Sequence, residues 1–156
     1  RQKFKKSKPL VEIYSSVFMP NHYHLLLKQL QNNGIYLFVS NFQNSFAKYF
    51  NLRNKRYGTL FQNAFKAKRV ETEEEFIHLS RYIHLNPVTS FLIKFDQLSS
   101  YPWCSFSWYM DESINQFINT QVVISLFKSK GKYQKFVADQ ADYQRKLSLI
   151  KKLIPE

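Results

Sequence analysis

The rhythm of apolar and polar positions changes several times along this chain. Val11-Glu12-Ile13-Tyr14-Ser15-Ser16-Val17-Phe18 and the run through Tyr23-His24-Leu25-Leu26-Leu27 lie on either side of Pro20-Asn21. Two short apolar runs around a Pro-Asn turn predict a β-hairpin over residues 10 to 29. Beyond Gln31-Asn32-Asn33-Gly34 the spacing lengthens, and Ile35, Phe38, Val39, Phe42, Phe46, Tyr49 and Phe50 recur at helical intervals to about residue 52. That aromatic stripe is expected to be buried. The opposite face, with Asn41, Gln43, Asn44 and Lys48, is polar, short on acids, and leads into Arg53-Asn54-Lys55-Arg56-Tyr57-Gly58.

From Thr59 to Val70, apolar and basic residues alternate closely enough to predict a strand with one core face and one cationic face. Thr72-Glu73-Glu74-Glu75 then marks a helix start. Thr72 can cap free amides, Glu75 stands where a capping box places its acid, and the acids suit the positive helix end. This helix is expected to stop at Asn86-Pro87, since the residue before proline is pushed away from helical geometry. Along it Phe76, Leu79, Ser80 and Ile83 form one stripe, and His78, Tyr82 and Asn86 another. Residues 88 to 112 read as loop, with Tyr101-Pro102-Trp103 packed back on the core. A short helix over Thr120–Phe127, a break at Lys130-Gly131 and a longer helix from Tyr133 to Leu153 through Phe136, Val137, Tyr143, Leu147 and Ile150 complete the chain. The expected class is α+β, with residues 1–112 as the main domain and 113–156 as a C-terminal helical extension.

At 156 residues and 44% hydrophobic content the chain can build a real core. No stretch approaches the roughly 18 apolar residues of a membrane span, and residues 1–9 are a basic, polar lead-in without the apolar segment of a secretion signal. A cytoplasmic protein is expected. The single cysteine, Cys104, excludes an internal disulfide and a zinc site built on several cysteines. Charge says more. With 23 Lys and Arg against 11 Asp and Glu, a formal +12, the chain favours a polyanionic partner. An aromatic content of 17% fits the stacking of unpaired bases among cations, although most of the 15 Phe are expected in the core.

The chemistry-bearing residues are few. In a strand, residues two apart share a face, so His22 and His24 project together and can hold one metal ion. On spacing alone an isolated His-x-His is more often an ordinary couple of partly buried histidines. Tyr82 and Asn86 share a helix face one turn apart; by itself such a tyrosine is more often a packing residue with a wet hydroxyl.

The order Met19-Pro20-Asn21-His22-Tyr23-His24-Leu25-Leu26, Gly58-Thr59-Leu60-Phe61-Gln62, Arg81-Tyr82-Ile83-His84-Leu85-Asn86-Pro87-Val88 and Tyr101-Pro102-Trp103 resembles the single-tyrosine HUH transposases, especially the branch associated with repetitive extragenic palindromes. The likeness covers about residues 10 to 110. It implies a ferredoxin-like (RRM-like) antiparallel sheet, here without its first β-α unit, and a metal-dependent enzyme that nicks and rejoins single-stranded DNA beside a hairpin. By the same resemblance Tyr82 is the nucleophile that forms a 5′-phosphotyrosine, and His22, His24 and Asn86 hold Mg²⁺ or Mn²⁺. Lys48, Arg53, Lys55, Arg56, Lys66, Lys68, Arg69 and Arg81 are candidate DNA contacts. A sheet short of one strand has an unpaired edge, so a monomer or a strand-paired homodimer is expected. Relatives often carry Gly-Arg after Leu-Phe-Gln, where this chain has Asn63-Ala64. The alternative is a remnant that binds hairpin DNA or RNA without cutting it.

Overall fold

The structure, a computed structural model, describes residues 8–111, 113 and 117–153, with side chains up to Ala141. The expected lead-in over residues 1–7 and the side chains of Tyr143, Leu147 and Ile150 lie outside the described residues. Strands β1 (Val11–Phe18) and β2 (Tyr23–Gln29) form a two-stranded antiparallel sheet, and the helices are α1 (Gly34–Arg53), α2 (Glu73–Thr89), α3 (Phe106–Met110), α4 (Thr120–Phe127) and α5 (Lys130–Leu153). The class is α+β. Packing divides the chain into two units, one of Arg1–Glu12 with Lys28–Arg69, the other of Ile13–Leu27 with Val70–Glu156. The expected boundary at residue 112 falls inside the second unit.

In the first unit, α1 starts where the sequence breaks its pattern. Asn33 takes a left-handed conformation (φ 57°) before the helix. Gly34 is needed by space, because a Cβ there would run into the Leu10 carbonyl. The Gln31 amide donates to the Lys8 and Pro9 carbonyls, both at 2.8 Å, which ties the helix start to the chain before β1. The aromatic stripe of α1 is not buried as expected. Phe42, Phe46, Phe50 and Phe61 make a half-covered ladder with ring centroids 6.1 to 6.3 Å apart, and Phe46 and Tyr49 remain exposed. Helical spacing gives a helix a face; it does not supply an element to cover it.

The expected strand over Thr59–Val70 does not form, and residues 56–71 are irregular. Its half-buried anchors, Leu60 with Phe61, Phe65 and Val70, recur about every five residues, not at the period of two that a paired strand needs. Lys66, Lys68 and Arg69 are exposed, as the expected cationic face requires.

The second unit holds the hydrophobic core. Tyr14, Val17, Leu26, Ile83, Leu85, Val88, Leu98, Phe106, Tyr109, Val123, Tyr133 and Val137 belong to one buried cluster, which joins the hairpin to α2, α3, α4 and α5. Strand β1 is closed on its far side by irregular chain, with Phe18 N donating to Trp103 O (2.8 Å), Ser105 N to Ser16 O (2.9 Å) and Asn119 N to Ile13 O (2.8 Å). Strand β2 pairs with β1 alone among the described residues.

Helix α2 begins as expected, with Thr72 Oγ1 accepting from Glu75 N at 3.1 Å. Glu75 reaches back one residue further than a capping box and accepts from Glu71 N at 3.0 Å. The helix does not stop at Asn86. It runs on to Thr89 with Pro87 inside it, and Pro87 and Val88 are fully buried. So near the end of a helix a proline removes only one intrahelical bond, and burial of two apolar side chains offsets that loss. The stretch after α2 is also more ordered than the loop expected, with a 3₁₀ turn over Phe95–Ser100 and then α3. Tyr101 packs against the core, as expected, whereas the Trp103 side chain is exposed.

Candidate active site and nucleic-acid interface

The Pro20-Asn21 turn is closed by Met19 N donating to His22 O at 2.8 Å, which delivers His22 to the start of β2. His22 and His24 then lie side by side, ring centroids 5.1 Å apart and edge to face. The face they share continues into Leu26, which sits in the same buried cluster as Ile83 of α2. That packing brings α2 alongside, and the His24 ring meets the Tyr82 ring at 5.6 Å between centroids. His22, His24 and Tyr82, picked from separate stretches of sequence, are thus one group. Tyr82 is 46% exposed.

Asn86 lies one turn further along α2 and is only 7% exposed. Its backbone carbonyl accepts from Ser90 N, Ser90 Oγ and Thr89 Oγ1, while its amide side chain has no hydrogen-bond partner among the described residues. The second stripe of α2 accordingly runs from exposed at His78 to buried at Asn86.

These donors fit a divalent ion. His22 Nδ1 donates to Asn21 Oδ1 at 2.7 Å, so in the neutral imidazole Nε2 is the nitrogen that carries the lone pair. Burial, and secondarily the charge on His22, holds His24 below the usual histidine value, in the neutral form a metal requires. No group of three or more His, Cys, Asp and Glu stands together among the described residues, so a third protein ligand beside the two histidines would have to be of another type. The buried, unpartnered amide of Asn86 is of that type.

Behind Tyr82, a polar network runs through the core of the second unit. His84 is fully buried, with Nε2 2.8 Å from Ser105 Oγ and Nδ1 2.7 Å from Tyr133 Oη. Tyr133 Oη is 2.5 Å from Ser80 Oγ, Ser80 bonds Ser15 at 3.1 Å, and Tyr109 Oη donates to Tyr14 O at 2.6 Å. Burial pushes His84 down to about 3, so it is a neutral crosslink between α2, α3 and α5. Burial also raises Tyr133 well above its ordinary value and Cys104 to about 12, so neither is charged at neutral pH.

The expected DNA contacts divide into two groups. Arg81 lies over the Phe136 ring at 4.0 Å, with a guanidinium nitrogen 2.7 Å from His78 Nδ1, so it holds α2 to α5. Arg53 donates to Tyr49 Oη at 2.6 Å, and Arg56 reaches Asn51 Oδ1 (3.4 Å) and Thr59 O (3.3 Å), bracing the loop after α1. Lys48, Lys55, Lys66, Lys68 and Arg69 are exposed. The sequence reading missed His84 and Tyr133 as the anchors of α2. A signal existed for His84, which follows Ser80 by four residues on the stripe expected to be buried.

A family model described as "Transposase IS200 like" matches residues 3–86, a segment that contains His22, His24, Tyr82 and Asn86. No curated protein and no solved structure matches. A match over more than half the length, ending on the helix that carries Tyr82, shows that the chain belongs to the IS200-like transposase family.

Proposed function

We propose that this transposase nicks single-stranded DNA beside a hairpin through Tyr82 and rejoins it by strand transfer. The observation that carries the reading is the half-exposed Tyr82 ring against His24, itself paired with His22. The Tyr82 hydroxyl gives up its proton to solvent and attacks phosphorus; a phosphotyrosyl bond forms to the 5′ side as the bond to the 3′ oxygen breaks, and that oxygen takes a proton from solvent. The released 3′-hydroxyl conserves the means of reversal, since its attack on that linkage restores a phosphodiester and frees Tyr82. His22, His24 and Asn86 would hold Mg²⁺ or Mn²⁺, which when bound polarises the phosphate and offsets the developing charge. Lys48, Lys55, Lys66, Lys68 and Arg69 supply the phosphate track. The four ordered motifs favour the branch associated with repetitive extragenic palindromes, and we read the hairpin and its helices as part of a ferredoxin-like core.

The test is incubation of the protein with labelled hairpin-bearing single-stranded DNA and Mn²⁺. Wild type is expected to nick it, and His24→Ala and Tyr82→Phe to lose nicking while keeping DNA binding. Undiminished nicking by Tyr82→Phe would overturn the assignment. Hairpin binding without nicking, on DNA that an intact relative cuts, would favour a binding-only protein.

A further inference from the structure

An open cleft lies in the first unit, between the last turns of α1 and the loop that follows. It is about 830 Å³ in volume and lined by Asn44, Lys48, Asn51, Lys55, Arg56 and Tyr57 among others. No acid lies between residues 28 and 69. The loop is built, not frayed. Lys55 and Gly58 take left-handed conformations (φ 49° and 91°), and Gly58 tolerates this without a side chain. Asn51 Nδ2 donates to Gly58 O at 2.9 Å, and Arg56 N donates to Asn51 O at 2.9 Å, so one α1 side chain and its carbonyl staple the loop from inside. The staple holds Tyr57 at the loop tip, 95% exposed, at the rim of a cationic cleft. Burying a large ring contributes to a core, and this ring contributes nothing there.

We propose that this cleft binds one unpaired nucleotide of single-stranded DNA, with the base stacked on Tyr57 and its phosphates on Lys48 and Lys55. Every base offers a π-face, so such a site tolerates sequence but requires a strand that is not paired. The choice of DNA rests on the transposase reading; the preference for an unpaired base rests on the cleft.

The experiment measures binding of a labelled, unstructured oligothymidine of about 12 nucleotides, a length within the site sizes such surfaces take, and of a duplex of equal length, across a salt series. Tyr57→Ala is expected to weaken oligothymidine binding about tenfold without changing the salt slope, and Tyr57→Phe to bind like wild type. Lys48→Ala with Lys55→Ala is expected to lower the slope of log affinity against log salt by roughly 1.4, about 0.7 for each single-strand phosphate that no lysine neutralises any longer. Wild-type affinity in Tyr57→Ala, or the same Tyr57 dependence on duplex, would overturn the proposal. Adduct formation by the same preparations separates the two readings. Tyr57-dependent binding by a wild type that forms no adduct rejects the tyrosine chemistry and leaves the cleft standing. Adduct formation with binding indifferent to Tyr57 does the reverse.

Discussion

The two units of this chain differ in kind. Residues 28–69, which make up most of the first, hold eight Lys and Arg and no acid, whereas residues 70–156 hold ten basic and ten acidic residues. Burial is divided the other way. Among the described residues, only Val11 and Val39 of the buried apolar side chains belong to the first unit, and the connected core lies in the second. A region of one sign of charge repels itself and gains little from burial, but it attracts a polyanion at long range. A charge-balanced, packed region can hold an imidazole, a phenol and an amide in fixed relation, as reactive groups require. On the function proposed above, grip falls to the first unit and chemistry to the second.

The largest expected effect on stability is at the buried network. His84→Ala removes a partner from both Tyr133 Oη and Ser105 Oγ and leaves a cavity, and should cost about 3 kcal/mol or more, read as a fall in urea midpoint. A loss under about 1 kcal/mol would mean the network does not anchor α2. The same residue sets a pH dependence. His84 titrates at about 3 when folded and near 6.5 when unfolded, so between those values the unfolded chain binds the extra proton. Stability contributed by neutral His84 is complete above about pH 6.5 and falls as pH drops towards 3, by up to roughly 1.4 kcal/mol per unit. Unfolding of His84→Gln across that window should show a shallower slope; parallel slopes would place the acid sensitivity elsewhere.

Thr72→Ala, which removes the α2 cap, should cost about 1 kcal/mol by the same denaturation. The first unit should behave oppositely. Lys66→Ala with Arg69→Ala, both exposed, should shift stability by less than about 0.5 kcal/mol while weakening hairpin binding and flattening its salt dependence. A stability loss without a binding loss in that variant would dissolve the division of labour.

How much of this was legible in the sequence follows the same division. The hairpin, the Thr72 cap and the pairing of His22 with His24 rest on local rules: a Pro-Asn turn, a side-chain acceptor three residues before an amide, and a period of two. All three survive in the structure. The misreadings are those that needed a partner from elsewhere. The α1 stripe was visible, but nothing in its spacing says what will cover it, and Phe46 and Tyr49 stay exposed. Alternation over Thr59–Val70 looks like a strand until it has no strand to bond. Pro87 ends a helix only where burial does not offset its missing bond. The His84 network joins Ser15, Ser80, Ser105 and Tyr133, groups that lie far apart in the sequence, and no local pattern records such a chain.

If Tyr82 carries the covalent step, as proposed, the attached nucleotide can be mapped to it. Protein incubated with hairpin-bearing single-stranded DNA and Mn²⁺, then digested with nuclease and trypsin, should give a nucleotide-modified peptide Tyr82–Lys94, or Val70–Lys94 if cleavage after Arg81 is blocked. Tyr82 is the only tyrosine in either. A nucleotide on that peptide, absent from Tyr82→Phe, is the predicted result. Modification of a different peptide, or strand cleavage with no covalent nucleotide on any peptide, would contradict it.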